Sequence, residues 1–136
     1  MATRILIADD SPVIRQCLSR LLGSHCGWEV CGEATDGDDA VWKAQELAPD
    51  LVVLDFLMPR KNGIEAAREI GKLFPRIPIL LCTICLTPQL VDLARGVGIA
   101  GTLFKGDLNK MVASIETLLR GESSFLGHYQ LEPPLS

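Results

Sequence analysis

Short apolar runs alternate with amphipathic segments along this chain, and that alternation limits its fold more than any other feature. The runs at residues 5–8, 51–54 and 79–81 are continuously apolar, which is typical of strands covered on both faces in a parallel sheet. Residues 28–31 mix polar and apolar side chains and predict an edge strand, and residues 102–104 predict a short fifth strand. We therefore expect five strands separated by helices.

The segments between the runs predict helices. In the first helix, Ser11 is placed to form the cap, Pro12 suits the first turn, and Gly23 ends the helix. The last helix is predicted to begin at Asp107, and a turn at Asn62-Gly63 precedes the third. The middle three helices are predicted at roughly 38–47, 64–74 and 88–96. Helical spacing assigns two buried faces: Ile14, Cys17, Leu18, Leu21 and Leu22 in the first helix, and Leu108, Met111, Val112, Ile115 and Leu119 in the last.

This order of elements predicts an α/β fold, a (βα)5 doubly wound parallel five-stranded sheet with right-handed crossovers. The 136 residues, 48% of them apolar, suit one compact domain. The strand–helix pattern ends near Gly121. We therefore expect one domain over residues 1–121, followed by a C-terminal tail or the start of a linker over residues 122–136.

The charge balance narrows the classes of function. Thirteen Lys and Arg against 17 Asp and Glu give a net charge of −4, whereas direct binding of nucleic acid or an anionic membrane surface requires a basic face. No apolar run approaches the roughly 20 residues of a membrane span. The first four residues lead into a strand without the pattern of a secretion signal. We therefore expect a cytoplasmic protein that binds neither nucleic acid nor membranes directly.

Functional residues of an open α/β sheet gather at the carboxyl ends of its strands. The sequence places Asp9, Asp10, Asp55, Thr83 and Lys105 at these ends. Three neighbouring carboxylates raise one another's pKa unless a cation joins them, and Mg2+ prefers carboxylate and water ligands. A lone Asp at a strand end is more commonly a helix cap or a turn residue. Compatible groups at four strand ends instead indicate metal-assisted phosphoryl chemistry with an Asp carboxylate as nucleophile.

The motifs around these residues resemble the receiver domain of two-component response regulators. The matching motifs are Ala8-Asp9-Asp10-Ser11, Leu54-Asp55-Phe56-Leu57-Met58-Pro59 followed by Asn62-Gly63, and the single residues Thr83 and Lys105. The resemblance extends over residues 3–121. It implies the flavodoxin-like strand order 2-1-3-4-5, and a signalling phosphoacceptor rather than an enzyme.

The resemblance also implies a role for each acidic residue. Asp55 would be the phosphoacceptor and also a ligand of the Mg2+ ion. Asp10 would bind Mg2+ directly, and Asp9 would hold it largely through water. The backbone carbonyl of Leu57 would be a further ligand of the metal, so the side chain at this position is free to vary.

By the same resemblance, Thr83 and Lys105 would contact the phosphoryl group and bias the arrangement of the last two strand–helix units. The donor would be a phosphohistidine on a sensor histidine kinase or a phosphotransfer protein. An output domain or downstream protein would bind the surface of the last two helices. Formation of a homodimer is a further partner interaction that the resemblance allows. The ending Leu118-Leu119-Arg120-Gly121 resembles receivers that precede helix-turn-helix output domains, for which the output is transcription.

Four positions depart from the family pattern. Thr102 stands where receivers commonly have an aromatic switch residue, and Phe104 lies on the same strand face, nearer the site. Gly106 replaces the proline that usually follows the lysine, so we expect a trans peptide bond and a looser loop there. Leu57 and Cys85 replace the side chains that flank the attacking water, which predicts slow self-dephosphorylation.

Two alternative functions stay open. Cys82 and Cys85 form a CxxC pair beside Thr83, which allows a redox switch that modulates the domain. A degenerate receiver, never phosphorylated and acting only as an interaction module, is the other alternative, because Thr102 and Gly106 are unusual. All five cysteines are expected to be reduced and buried as small apolar residues.

Overall fold

The computed structural model describes residues 2–125, which form a parallel sheet flanked by helices on both faces. The strands are β1 Thr3–Ala8, β2 Trp28–Ala34, β3 Leu51–Leu54, β4 Ile79–Thr83, β5 Gly101–Phe104 and β6 Ser124–Phe125. The helices are α1 Pro12–Gly23, α2 Gly37–Leu47, α3 Gly63–Leu73, α4 Pro88–Gly96 and α5 Met111–Leu119. A 3₁₀ helix, Lys105–Lys110, leads into α5.

The strand order is β2-β1-β3-β4-β5-β6, and every neighbouring pair is parallel. The predicted doubly wound fold and its order 2-1-3-4-5 are therefore confirmed. The central strands β1, β3 and β4 are buried along nearly their whole length, which explains why their sequences are continuously apolar. A sixth strand, which the sequence did not predict, lies after residue 121, where the strand–helix pattern was expected to end.

Two apolar clusters fill the space between the sheet and its helices. One side of the sheet packs against α2, α3 and α4, with Leu6, Leu54, Ile70 and Leu81 fully buried. The other side packs against α1 and α5, with Ile7, Leu22, Leu103 and Ile115 fully buried. Both clusters hold the sheet rigidly, so the carboxyl ends of its strands keep a fixed arrangement.

Side-chain caps define where the helices α1 to α4 begin. Ser11 Oγ accepts a hydrogen bond from the Ile14 N–H at 3.3 Å, as the Ser11-Pro12 pair predicts. Asn62 forms a reciprocal capping box with Glu65, so the Asn62-Gly63 pair begins α3 directly instead of forming a separate turn. No helix within residues 2–125 is long and apolar enough to cross a membrane.

The structure corrects several predicted details. Cys17 is exposed, and Leu118 takes the buried position expected of Leu119, which is 37% exposed. Asp107 does not cap a helix, because it lies at a kink within the 3₁₀ helix with φ −112° and ψ 39°. The predicted loose loop after Lys105 is thus an ordered 3₁₀ helix, whereas the expected trans bond before Gly106 is confirmed.

The cysteines are free, as expected, but most are not buried. Cys17, Cys26 and Cys85 are exposed, Cys31 is half-buried, and Cys82 alone among them lies in the core. The expectation was wrong for the exposed three because they lie on an outer helix face or in loops, which the sheet does not cover.

Candidate functional site

The predicted site residues meet at one edge of the sheet. Ala8 and Leu54 are register partners on β1 and β3, so Asp9 and Asp55, which follow them, are brought side by side. Thr83 is the last residue of β4, and its register partner Phe104 is followed by Lys105. Parallel pairing alone thus assembles the groups of four separate strand ends.

The acidic residues form one cluster. Oxygen atoms of Asp9, Asp10 and Asp55 lie within 4.8 Å of one another. Asp9 and Asp55 are almost completely buried, at 1% and 4% exposure, whereas Asp10 is exposed. The cluster therefore has a buried floor and one face open to solvent.

Lys105 is the cation inside this cluster. Its Nζ lies 2.6 Å from Asp9 Oδ2 and 3.1 Å from Asp55 Oδ2. Burial lowers the pKa of Lys105, but the hydrogen bond to Asp9 and the charge of Asp55 outweigh that effect and leave the pKa raised. Lys105 is therefore charged at neutral pH and bridges the two buried carboxylates.

The positive charge of one lysine does not offset the negative charge of the three carboxylates. Burial raises the pKa of Asp55, Lys105 lowers it in part, and the neighbouring Asp9 raises it further. The net shift is upward, so the ionised form of Asp55 is held at a cost in free energy. An additional cation at the open face would relieve this cost.

Arg15 supports the site, although sequence reasoning did not single it out. Its guanidinium donates a 2.7 Å hydrogen bond to the backbone carbonyl of Asp9 and also pairs with Glu33 on β2. The Ser11 N–H donates to Asp9 Oδ1 at 2.9 Å. The signal in the sequence was the position of Arg15 in the first turns of α1, shortly after the Asp9-Asp10 pair.

The loops after β3 and β4 complete the surroundings. The Leu57 N–H donates to Asp55 Oδ1 at 3.3 Å, and the Leu57 side chain is 45% exposed. Thr83 is fully buried, and its Oγ1 accepts a hydrogen bond from the Cys85 N–H at 3.3 Å. The hydroxyl of Thr83 thus faces the loop that leads to α4, within the same strand-end layer as Asp55.

A comparison with known protein families shows the family to which this chain belongs. Residues 5–116 match the family described as the response regulator receiver domain. The chain is a response regulator receiver domain. The resemblance inferred from the motifs is therefore confirmed, and receivers are modules of two-component signalling.

Relatives of this receiver occur among chemotaxis proteins and regulators. It is 45% identical over 83 residues to the chemotaxis protein CheY of Thermotoga maritima, covering 61% of this chain and 68% of that protein. It is 34% identical to the response regulator GacA of Pseudomonas protegens, over 88% of this chain and 56% of GacA. It is also 34% identical to the response regulator VraR of Staphylococcus aureus, over 92% and 60%. The chain thus spans little more than half the length of GacA and VraR.

Solved structures share the same fold. A LuxR-family two-component response regulator from Aurantimonas superimposes with a TM-score of 0.87 at 32% identity, covering 91% of this chain and 89% of that one. The signal receiver domain of the regulator NarL from Mycobacterium tuberculosis gives a TM-score of 0.84 at 28% identity, over 89% and 98%. The site described above therefore lies in a fold shared with known receivers.

Thr102, the position where receivers commonly carry an aromatic residue, is fully buried in this receiver. Its register partners are Leu81 on β4 and Phe125 on β6, and its Oγ1 has no hydrogen-bond partner within residues 2–125. Phe104 is half-buried and packs on the α4 side of the sheet, as the two-residue period predicts. Aromatic rings thus lie near Thr102 along β5 and across to β6.

The CxxC pair lacks the properties of a redox switch. Burial raises the pKa of the Cys82 thiol to about 12, and Lys105 opposes this shift only in part. Cys82 is 2% exposed, whereas Cys85 lies on the surface, and both thiols are free. A thiol that stays protonated and hidden from solvent is a poor nucleophile, so the redox alternative is not favoured.

Proposed function

We propose that this receiver accepts a phosphoryl group on Asp55 and changes conformation to signal to an output partner. The observation that carries the proposal is the meeting of three carboxylates, one lysine and one buried threonine hydroxyl at the same strand-end layer. Asp55 lies at the centre of this group, since it contacts Lys105 and the Leu57 N–H. Each of its oxygens is therefore held in a defined orientation.

The carboxylates fit a divalent ion. Asp10 and Asp55 would bind Mg2+ directly, Asp9 would hold it largely through water, and the carbonyl of Leu57 would be a further ligand. Oxygen atoms of the three aspartates lie within 4.8 Å of one another, and the raised pKa of Asp55 indicates a deficit of positive charge. When bound, Mg2+ would neutralise the charge that develops on the phosphoryl oxygens.

In the transfer step, the chain's own residues supply the nucleophile and the hydrogen-bond donors. A carboxylate oxygen of Asp55 attacks the phosphorus of a phosphohistidine on a sensor kinase or a phosphotransfer protein. The phosphorus–nitrogen bond breaks, and the imidazole leaves with the bonding electron pair. Lys105 and Thr83 then hydrogen-bond oxygens of the transferred group, which exchanges the carboxylate contacts of Lys105 for phosphoryl contacts.

These contacts supply the energy of a switch. Nearly complete conversion between two arrangements needs about 5.5 kcal/mol of differential stabilisation. Hydrogen bonds to charged groups contribute about 1.5–3 kcal/mol each, so Thr83 and Lys105 together provide much of this amount. Movement of Thr83 toward Asp55 acts on the loop that begins α4, and Lys105 begins the 3₁₀ helix that leads to α5.

The output surface follows from this geometry. Leu93 on α4 and Leu119 on α5 are partly exposed, at 48% and 37%, on the two helices next to the moving groups. We propose that a downstream protein or output domain reads these helices, in the cytoplasm. LuxR-family regulators among the structural neighbours support a transcriptional output.

Phosphorylation is tested by the intact mass of the full chain after incubation with acetyl phosphate and Mg2+. We expect a Mg2+-dependent gain of one phosphoryl group in the wild type and no gain in Asp55→Asn. If neither acetyl phosphate nor a panel of histidine kinases labels the wild type, the domain is instead a degenerate receiver that acts without phosphorylation.

A further inference from the structure

The outer edge of β5 is covered by the chain's own C-terminal segment. In β6, Ser124 and Phe125 are register partners of Gly101 and Thr102. The Ser124 N–H donates a 3.1 Å hydrogen bond to the carbonyl of Ala100. This short strand therefore closes a sheet edge that would otherwise present unpaired backbone groups.

Residues of β5 and α4 are shaped to receive this strand. A Cβ atom at position 101 would lie 2.4 Å from the carbonyl oxygen of Ser124, so only glycine permits the observed approach. The guanidinium carbon of Arg95, in the last turn of α4, lies 4.2 Å from the centre of the Phe125 ring. That distance is within the range of a cation–π interaction. Phe125 is thus held from two sides, by β5 and by α4.

The segment also explains the burial of Thr102. Phe125 is its register partner and packs on the same apolar cluster as Leu81 and Phe104. Threonine stands at position 102, where receivers commonly carry an aromatic side chain. In this chain an aromatic ring from β6 lies next to that position instead.

We propose that the outer edge of β5, together with the adjoining side of α4, is a docking site for this chain's own residues 124–125, and that docking favours the unphosphorylated arrangement. The inference rests on the proposed function. Arg95 belongs to the helix that follows the Thr83 loop, so movement of Thr83 toward a phosphoryl group displaces α4 relative to β5. That displacement separates Arg95 from Phe125 and releases the segment, which couples the docking of residues 124–125 to the state of Asp55.

Because docking of residues 124–125 and phosphorylation of Asp55 are thermodynamically linked, the effect of either one on the other can be measured. If docking stabilises the unphosphorylated arrangement, its removal must tighten the binding of a phosphoryl mimic by the same factor. The test is an NMR titration of the full chain with beryllofluoride in the presence of Mg2+, applied to the wild type, Phe125→Ala and Arg95→Gln. We expect both variants to bind beryllofluoride about fivefold tighter or more, the lower end of typical coupling between sites.

The matched control is Trp42→Ala, which removes an exposed aromatic side chain from α2, a helix that packs near β2, at the edge of the sheet opposite β6. Its affinity for beryllofluoride should equal that of the wild type. In the wild type, hydrogen exchange of the Ser124 amide should accelerate on beryllofluoride binding, because release of the segment breaks the bond to Ala100.

The outcomes separate the two proposals. Equal affinities in the wild type and in both variants, or an unchanged exchange rate for Ser124 in the loaded protein, would overturn the docking proposal alone. Weaker binding by Phe125→Ala would also overturn it, since the segment would then favour the phosphorylated arrangement. Absence of both beryllofluoride binding and labelling of Asp55 would overturn the proposed function, and the docking proposal with it.

Discussion

The ring of Phe104 lies directly against the α-carbon of Gly106, so that a Cβ atom at position 106 would stand 2.3 Å from Cε2 of the ring. Phe104 is also the register partner of Thr83 and the residue before Lys105. One aromatic side chain is therefore adjacent to both groups proposed to contact the phosphoryl group. The glycine that replaces the family's proline provides the space for it.

This contact predicts a dependence between the two positions. Gly106→Ala should destabilise the wild type by about 1 kcal/mol, because the added methyl group displaces the Phe104 ring. In a Phe104→Ala background the same substitution should be neutral or stabilising by about 0.5 kcal/mol, since the collision is gone and the unfolded chain loses entropy. Urea unfolding of the four proteins measures the coupling. An equal effect of Gly106→Ala in both backgrounds would contradict the contact.

The raised pKa of Asp55 predicts that its charge weakens the fold. A raised pKa in the folded state means that the stabilising contribution is present at low pH and is lost as pH rises through the carboxyl range. At neutral pH and without Mg2+, Asp55→Asn should therefore stabilise the protein by about 1 kcal/mol, or roughly 4 °C in Tm.

Thermal unfolding across pH 4–8 tests this, with Asp92→Asn as the control for removing an exposed carboxylate. The advantage of Asp55→Asn should shrink at the acidic end of this range, where Asp55 itself becomes protonated. Added Mg2+ should stabilise the wild type more than Asp55→Asn, because the variant loses one ligand. A variant less stable than the wild type at neutral pH would show that the Lys105 contact outweighs burial.

Leu57 predicts a long-lived phosphorylated state. Its side chain is 45% exposed beside Asp55 and has no polar atom to orient a water molecule for attack. Leu57→Asn should accelerate dephosphorylation about tenfold, which corresponds to about 1.4 kcal/mol in the barrier. Loss of the phosphoryl mass over time gives the rate. Leu73→Asn, a change of the same kind at a side chain 47% exposed on α3, should leave that rate unchanged.

The cysteines should divide into reactive and protected thiols. Cys17, Cys26 and Cys85 are exposed and should be alkylated rapidly by iodoacetamide in the native protein. Cys82 should resist, because its pKa of about 12 lowers its thiolate fraction on the order of a thousandfold. Burial also raises the pKa of Cys31, which should react slowly.

Peptide mass mapping after timed alkylation assigns each thiol, and alkylation of the unfolded chain gives the reference in which all thiols are accessible. Mild oxidation should leave Cys82 and Cys85 unlinked. Rapid native labelling of Cys82, or a disulfide across Thr83, would restore the redox alternative.

Local sequence features were sufficient for the first five strands, the five helices and the groups that gather at the strand ends. The continuous apolar runs predicted the central strands, and Ser11 and Asn62 indicated where α1 and α3 begin. Because carboxyl ends of parallel strands share one edge, the positions of Asp9, Asp55 and Lys105 after their strands predicted that they would meet.

Contacts between residues that are distant in sequence decided the remaining features of the site and of the sheet edge. The sequence by itself determined which groups lie at the site, since the position of each group after its strand depends on local pattern. Only the tertiary structure decided that Lys105 bridges Asp9 and Asp55, and that Arg15 holds the Asp9 carbonyl. It also decided that Phe125 returns to β5 to cover Thr102. The physical reason is that a short strand such as Ser124–Phe125 has too few residues for a pattern of its own, and it forms because β5 and Arg95 provide a surface for it.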